Sequence, residues 1–255
     1  MAGNARRPGV SVASRVLDVL SAFDADNQRL TLTQIARRAD LPLATAHRLV
    51  AELEGWQGLR RREDGRYVVG RRLWDIGMLS AVQADLREVA VPYLQDVHAT
   101  TGETVHLAIR DDLFALYVER IVGRNSVQVL SRAGSRLPLH ATAVGKVLLA
   151  YAGPQVVQAA LVSPARVTAY TVTEPGRLHR ELTEVGRRGF ARTAQEMTPG
   201  AWSVAVPVGT ASGEVVAALG IVVASPSRDL ARLVPVLKVA AHGISRSLPP
   251  GWHPG

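Results

Sequence analysis

Apolar residues recur every three or four positions at Val12, Val16, Leu17, Val19, Leu20 and Phe23, the spacing of an amphipathic helix. A polar turn, Asp24-Ala25-Asp26-Asn27, closes it. Thr33 is expected to cap a short helix that turns Ile35, Ala36 and Ala39 inward, before Asp40-Leu41-Pro42 breaks the pattern. Leu43 to Leu53 resumes it with Ala46, Leu49, Val50 and Leu53 on one stripe. Leu59 to Arg62 and Arg66 to Val69 read as two short strands joined by Asp64-Gly65, a strong hairpin signal. Helices are expected at 71–83 and 86–100, with a kink or boundary near Val91 because Pro92 interrupts the second, and a stop at Gly102.

Beyond Gly102 the pattern changes. Strands are expected at 105–109, 114–122 and 127–131, then helices at 141–151, 154–161 and 177–188. Strands follow at 190–194, 202–208 and 215–224, and a helix at 229–247 closes the chain. Residues 1–11 and 248–255 show no period and read as disordered tails. Strand triplets separated by helices, with hairpin turns, predict an α+β fold with helices packed on an antiparallel sheet.

Composition narrows the chemistry. With no cysteine, the chain cannot form disulfides, iron–sulfur clusters, thiolate nucleophiles or Cys-based zinc sites. Apolar runs fall short of the roughly 18–20 residues that span a bilayer, and residues 1–11 lack a signal peptide's apolar core. A cytoplasmic chain with no membrane partner is the expectation. The net charge of +8 favours a polyanionic partner, and residues 1–75 carry half of that excess in under a third of the length. Arg60, Arg61, Arg62, Arg66, Arg71 and Arg72 crowd into 13 residues.

Residues 32–53 meet the steric demands of a helix-turn-helix. Ala36 is small where two crossing helices touch, Asp40 tolerates positive φ in the turn, and Leu41 plugs the corner. The second helix would enter the major groove exposing Leu43, Ala44, Thr45, His47 and Arg48, with Thr33 at the first helix joining the contact set. Arg60, Arg61, Arg62 and Arg66 on the hairpin would follow phosphates as a wing. Only Thr45, His47 and Arg48 on that helix can hydrogen-bond to bases, so specificity calls for a dimer.

Catalytic and metal readings find little support. Ala143-Val144-Gly145-Lys146 lacks the glycine and hydroxyl that a phosphate loop requires. The seven histidines show no metal-ligand spacing, and no Gly-x-Ser-x-Gly elbow occurs. Ser203, His140 and Glu196 are the residue types of a hydrolase triad, without a spacing that assembles one. The expectation is no enzyme, no catalytic residue, no metal and no cofactor. A ligand pocket suits the polar residues better. His140 and Thr142 lead into a helix whose first N–H groups, through Lys146, suit a carboxylate. Structural capping is the competing reading, above all for Lys146, and Gly145 is expected to allow close helix-on-sheet packing.

Several segments together resemble one family. Ser14-Arg15-Val16-Leu17-Asp18-Val19-Leu20, Leu32-Thr33-Gln34-Ile35-Ala36-Arg37-Arg38 and Leu41-Pro42-Leu43-Ala44-Thr45-Ala46-His47-Arg48-Leu49 resemble the winged helix-turn-helix of IclR-family bacterial transcriptional regulators. Asp64-Gly65-Arg66-Tyr67 and Gly70 match the wing. Thr101-Gly102-Glu103-Thr104-Val105, Leu137 to Lys146, Arg188-Gly189-Phe190-Ala191, Glu196 with Gly200, and Val204-Ala205-Val206-Pro207 resemble the family's C-terminal domain. The likeness spans roughly residues 12–247. Three positions depart: the family usually has Gly at Asp40, often a basic residue at Leu43, and a Gly near Gln57 that here stands at Gly58.

The resemblance implies a winged helix-turn-helix over 12–70, a linker helix over 71–85 and a GAF-like effector and oligomerisation domain over 86–247. It implies a ligand-responsive regulator, read as a repressor, acting as a homodimer or dimer of dimers on palindromic double-stranded operator DNA. The implied effector is a small organic or aromatic acid. Family effector positions fall here on Ala143, Val144, Thr193, Ser203, Gly220 and Val222. Because Gly220 and Val222 offer no polar side chain, an aromatic or branched acid is expected rather than a two-carbon one. Trp202 either stacks on such a ligand or belongs to the core. The alternatives are a sensor whose winged helix serves protein contacts, and a small-molecule enzyme.

Overall fold

The computed structural model describes residues 11–24, 26–77, 81–123, 131–224, 229–249 and 252, and the chain divides into two compact units after residue 80. The fold is α+β.

In the first unit, Ser11 caps α1 (Val12–Ser21) by accepting the Ser14 N–H at 3.0 Å. The second helix, α2 (Leu32–Arg38), is capped by Thr31 rather than Thr33. Thr31 and Gln34 exchange hydrogen bonds in a capping box, and Thr33 lies exposed within the first turn. Asp40 adopts φ 51°, which lets Leu41 N–H reach Ala36 O at 2.9 Å and turn the chain into α3 (Leu43–Gly55). Strands β1 (Leu59–Arg61) and β2 (Tyr67–Val69) pair antiparallel, and Leu30 bridges to Tyr67. Val19, Ile35, Leu49, Val50, Leu53, Leu59 and Tyr67 form one buried cluster. Helix α4 (Arg71–Gly77) covers the first part of the helix expected at 71–83, of which residues 78–80 lie outside those described.

The second unit opens with α5 (Ala81–Thr101), which runs through Pro92 without a boundary. Proline removes one hydrogen bond there, but Leu86 and Ala90 before it and Leu94 and Val97 after it are all buried in the same core, and that packing keeps both halves helical. Strands β3 (Thr104–Asp111), β4 (Phe114–Ile121), β5 (Arg136–Pro138), β6 (Ala191–Ala194), β7 (Trp202–Gly209) and β8 (Val215–Val223) form one sheet, all pairs antiparallel, in the order β5-β4-β3-β8-β7-β6. The strand expected at 127–131 falls mostly on residues outside those described, and β5 is the segment that pairs with β4.

The two faces of the sheet differ in size. Val105, Leu107, Ile109, Val204, Val206, Leu219 and Ile221 face α5 and α9 (Val234–Ser247), the latter entered through a 3-10 turn at Leu230–Leu233. Ala108, Ala115, Ala205 and Ala218 face α6 (Ala143–Ala150) and α8 (Pro175–Arg188), with α7 (Pro154–Val162) beside them. Small residues on one face let α6 approach the strands closely. The expected C-terminal tail is not loose throughout, since Leu248 and Trp252 are buried in the α5–α9 core. Among the described residues no helix is long and apolar enough to cross a membrane.

Candidate functional site

On the first unit, α3 buries Ala46, Leu49, Val50 and Leu53 and leaves Leu43, Ala44, His47 and Arg48 exposed, with Thr45 half-buried. No side chain caps α3, whose N-terminal residue follows Pro42, so the N–H groups of its first turn have no side-chain partner. Arg60, Arg61, Arg62 and Arg66 are all exposed on the hairpin, and the Arg61 guanidinium lies 5.8 Å from the Tyr67 ring centre. Thr33 is exposed on α2.

In the second unit a small cavity lies between the sheet and the start of α6. Thr142, Ala143, Val144, Thr193, Ser203, Gly220 and Val222 all line it, together with His106, Tyr117 and Ser131. Gly220 forms its floor: a Cβ there would sit 2.9 Å from Val144 Cγ1 and 3.2 Å from the Val204 carbonyl oxygen. Met197, Thr198 and Ala201 add a wall from the β6–β7 loop. Thr142 caps α6 by accepting the Gly145 N–H at 3.0 Å, which leaves the Ala143 and Val144 N–H groups without an intrahelical partner.

The polar lining groups pair with one another. His106 Nε2 lies 2.9 Å from Ser131 Oγ, and Thr193 Oγ1 lies 2.5 Å from Ser203 Oγ. Tyr117 hydrogen-bonds with Thr142, and its ring meets His106 edge-on with centroids 5.1 Å apart. Burial, reinforced by the Arg120 guanidinium, drives the His106 imidazole down to about 3. Burial pushes the Tyr117 hydroxyl up, against the opposing effect of its Thr142 bond. Both groups are therefore neutral at physiological pH.

Two expected pocket residues lie elsewhere. His140 is buried and donates from Nε2 to the Ala165 carbonyl at 2.8 Å, a structural anchor. Trp202 alternates with Ser203 along β7, so its ring packs against the α5–α9 core instead of the cavity. Lys146 is 1% exposed and gives its ammonium to Glu196 and Glu181, each at 2.7 Å. Burial pushes the Glu196 carboxyl up while Lys146 pulls it back. Gly145 packs against its own preceding turn rather than the sheet, since a Cβ there would lie 2.3 Å from the Leu139 carbonyl oxygen. Ser203, His140 and Glu196 thus have three separate partners and form no triad.

His106, Tyr117, Ser131, Leu137, Met197, Thr198 and Ala201 are cavity residues that the sequence did not single out. Alternation on β3 and β4 puts His106 and Tyr117 on the small-residue face beside Ala108 and Ala115, the one signal that points to them.

Comparison with known proteins gives a consistent answer. The IclR helix-turn-helix domain matches residues 12–63, and the domain described as "Bacterial transcriptional regulator IclR C-terminal" matches residues 78–246. The HTH-type transcriptional regulator XynR of Escherichia coli (strain K12) is 32% identical over 248 residues, which cover 94% of this chain and 98% of that protein. The crystal structure of an IclR homolog from Microbacterium hydrocarbonoxydans, complexed with 4-hydroxybenzoate, is similar with a TM-score of 0.89 and 36% identity, over 93% of this chain and 99% of that one. The Thermotoga maritima IclR structure gives a TM-score of 0.76 and 28% identity over 92% and 98% of the two chains. The chain belongs to the IclR family: it is a transcriptional regulator with an N-terminal helix-turn-helix and a C-terminal effector domain, not an enzyme.

Proposed function

We propose that this regulator is a repressor that binds a palindromic operator as a homodimer or dimer of dimers, and that an aromatic or branched carboxylic acid controls it. Residues 12–70 would hold the DNA, residues 71–85 would link, and residues 86–247 would bind effector and oligomerise. The DNA-contacting set comprises Thr33, Leu43, Ala44, Thr45, His47 and Arg48, with Arg60, Arg61, Arg62 and Arg66 on phosphates. The observation carrying the effector assignment is the cavity itself. No ionised side chain is among its described lining residues, while the open N–H groups of Ala143 and Val144 suit one carboxylate. Leu137, Val144, Ile221 and Val222 give it apolar walls that match a ring or branched chain better than a two-carbon acid. The 4-hydroxybenzoate bound by the Microbacterium homolog supports this reading. An effector works only if it binds the DNA-competent and DNA-incompetent states with different affinity.

Fluorescence anisotropy on duplexes from the upstream region, with competitor DNA, tests the operator half. Titrating 4-hydroxybenzoate and glyoxylate into the complex tests the effector half. Competitor-resistant binding relieved by 4-hydroxybenzoate is the expected result. Relief by glyoxylate alone would overturn the effector class, and binding erased equally by any DNA would overturn the operator assignment.

A further inference from the structure

Helices α5 and α9 pack together on one face of the sheet. Tyr93 of α5 covers Gly243 of α9, and its hydroxyl lies 2.9 Å from Ser247 Oγ. A Cβ at Gly243 would lie 2.3 Å from the Tyr93 ring, so glycine permits that close approach. Helix α9 buries Leu237, Ala240, Ala241 and Ile244 and turns Pro235, Val239, His242 and Arg246 outward. Val239 is 76% exposed and lines a groove with Tyr93, Val97 and Val236. On α5 an exposed stripe, Glu88, Pro92, Asp96 and Thr100, runs along the same side. The two stripes carry opposite charge. Glu88 and Asp96 make the first acidic, Lys238 and Arg246 make the second basic, and α9 contains no acidic residue. Arg87 on α5 is taken up by Glu119. Among the described residues Glu88, Asp96 and Arg246 have no ion-pair partner.

We infer that this face joins two effector domains: its occupant is the same face of a second copy, with α5 of each copy lying on α9 of the other. The inference rests on the homo-oligomer reading above. An isologous interface brings the same patch of both copies together, so every contact occurs twice. Laying α5 on α9 sets the acidic stripe against the basic one on both sides and covers Val239. Laying each helix on its own counterpart would oppose like charges. An apolar groove edged by charges without partners has the make-up of an interface core and its polar rim. Nucleic acid suits the face less well, because Glu88 and Asp96 stand beside the bases of α9 and would repel phosphates.

Sedimentation velocity of the full chain over a range of concentrations is the test. The wild-type protein is expected to sediment as a homo-oligomer, and Val239→Asp to fall to half that mass. Two further proteins each reverse one stripe: Glu88→Lys with Asp96→Lys, and Lys238→Glu with Arg246→Glu. Each alone should associate about a hundredfold more weakly, since like charges then meet at both contacts. Their equimolar mixture should regain the wild-type mass, a rescue that a merely structural defect would not show. Wild-type mass in Val239→Asp, or in either charge-reversed protein, overturns the inference. Charge-reversed proteins that dissociate but do not recombine on mixing overturn the laying of α5 on α9. If Val239→Asp does not fold, the charge-reversed proteins, changed only at exposed positions, carry the test. A wild-type chain that stays monomeric at every concentration overturns the homo-oligomer reading itself.

Discussion

Lys146 Nζ lies 2.7 Å from Glu196 Oε1 and 3.0 Å from Oε2, joining the helix that begins at the cavity to the loop that walls it. Glu196 is further fixed by its backbone carbonyl, which accepts from Thr171 Oγ1 at 2.7 Å. Removing one member of a buried pair leaves the other charge desolvated and uncompensated. Lys146→Met is expected to destabilise the second unit by about 3–5 kcal/mol. Adding Glu196→Gln should recover part of that loss, because Glu181, the other partner of Lys146, is partly exposed and keeps Arg177, so no buried charge is then left unpaired. Urea unfolding of the single and double variants measures both; a double variant as unstable as the sum of the singles would contradict the pairing.

Gln57 adopts φ 64° at the end of α3, and its neighbour Gly58 donates to the Leu53 carbonyl at 2.8 Å. The left-handed position thus falls on glutamine, although glycine stands one residue later. Gly58 is needed where it is, since a Cβ there would lie 2.6 Å from the Trp56 ring. Gln57→Gly should raise the stability of the helix-turn-helix unit by up to about 1 kcal/mol, and Gly58→Ala should lower it. Thermal unfolding of the two variants in opposite directions is the expected outcome.

The helix-turn-helix was legible because its determinants are local: the stripe in α3, the positive-φ residue Asp40 and the Asp64-Gly65 hairpin are each set by nearest neighbours. The first cap was misplaced by two residues because Thr31 and Thr33 are both plausible caps, and only the Gln34 side chain decides between them. In the effector domain the resemblance supplied Ala143, Val144, Thr193, Ser203, Gly220 and Val222, and all six line the cavity. His106 and Tyr117 stayed hidden because their place depends on the β3–β4 register, which shifts between Leu107 and Ala108. Trp202, open in the sequence between ligand and core, falls on the core side because one step along a strand reverses the face.

Gly220 is a point of close approach between α6 and the sheet. Gly220→Ala would press a methyl group against Val144 Cγ1 at 2.9 Å and into the cavity floor. The expected cost is about 1–3 kcal/mol of stability, typical of overpacking, with weaker binding of 4-hydroxybenzoate than in the wild-type protein. Calorimetry and thermal unfolding on the same sample separate the two effects.

His106 also makes the effector domain acid-sensitive. Its imidazole titrates at about 3 when folded, against an ordinary value of about 6.5 when unfolded, so the unfolded chain binds the extra proton between those values. The neutral-His contribution is complete above pH 6.5 and declines as pH falls toward 3, by up to about 1.4 kcal/mol per pH unit. His106→Gln should flatten the stability profile in that window and leave it unchanged above pH 7. Urea midpoints at pH 4.5, 5.5 and 7.5 give the comparison; parallel profiles for wild-type and variant would contradict the assignment.

Arg48 and the wing arginines are expected to act differently on DNA. Arg48 lies exposed on α3 beside His47, where it can reach a base edge, whereas Arg62 and Arg66 flank the Asp64-Gly65 turn. Arg48→Glu should abolish operator-specific binding in a protein that unfolds like the wild type, because the residue contributes nothing to the buried stripe. Arg62→Ala and Arg66→Ala should weaken all duplexes alike and each lower the salt slope by about one, the mark of a lost phosphate contact. Arg61→Ala is a poorer probe, since that side chain also packs on Tyr67 and its loss would disturb the hairpin. Anisotropy at several salt concentrations, on operator and scrambled duplexes, distinguishes the roles. A salt slope unchanged in both Arg62→Ala and Arg66→Ala would mean that the hairpin does not follow the DNA backbone.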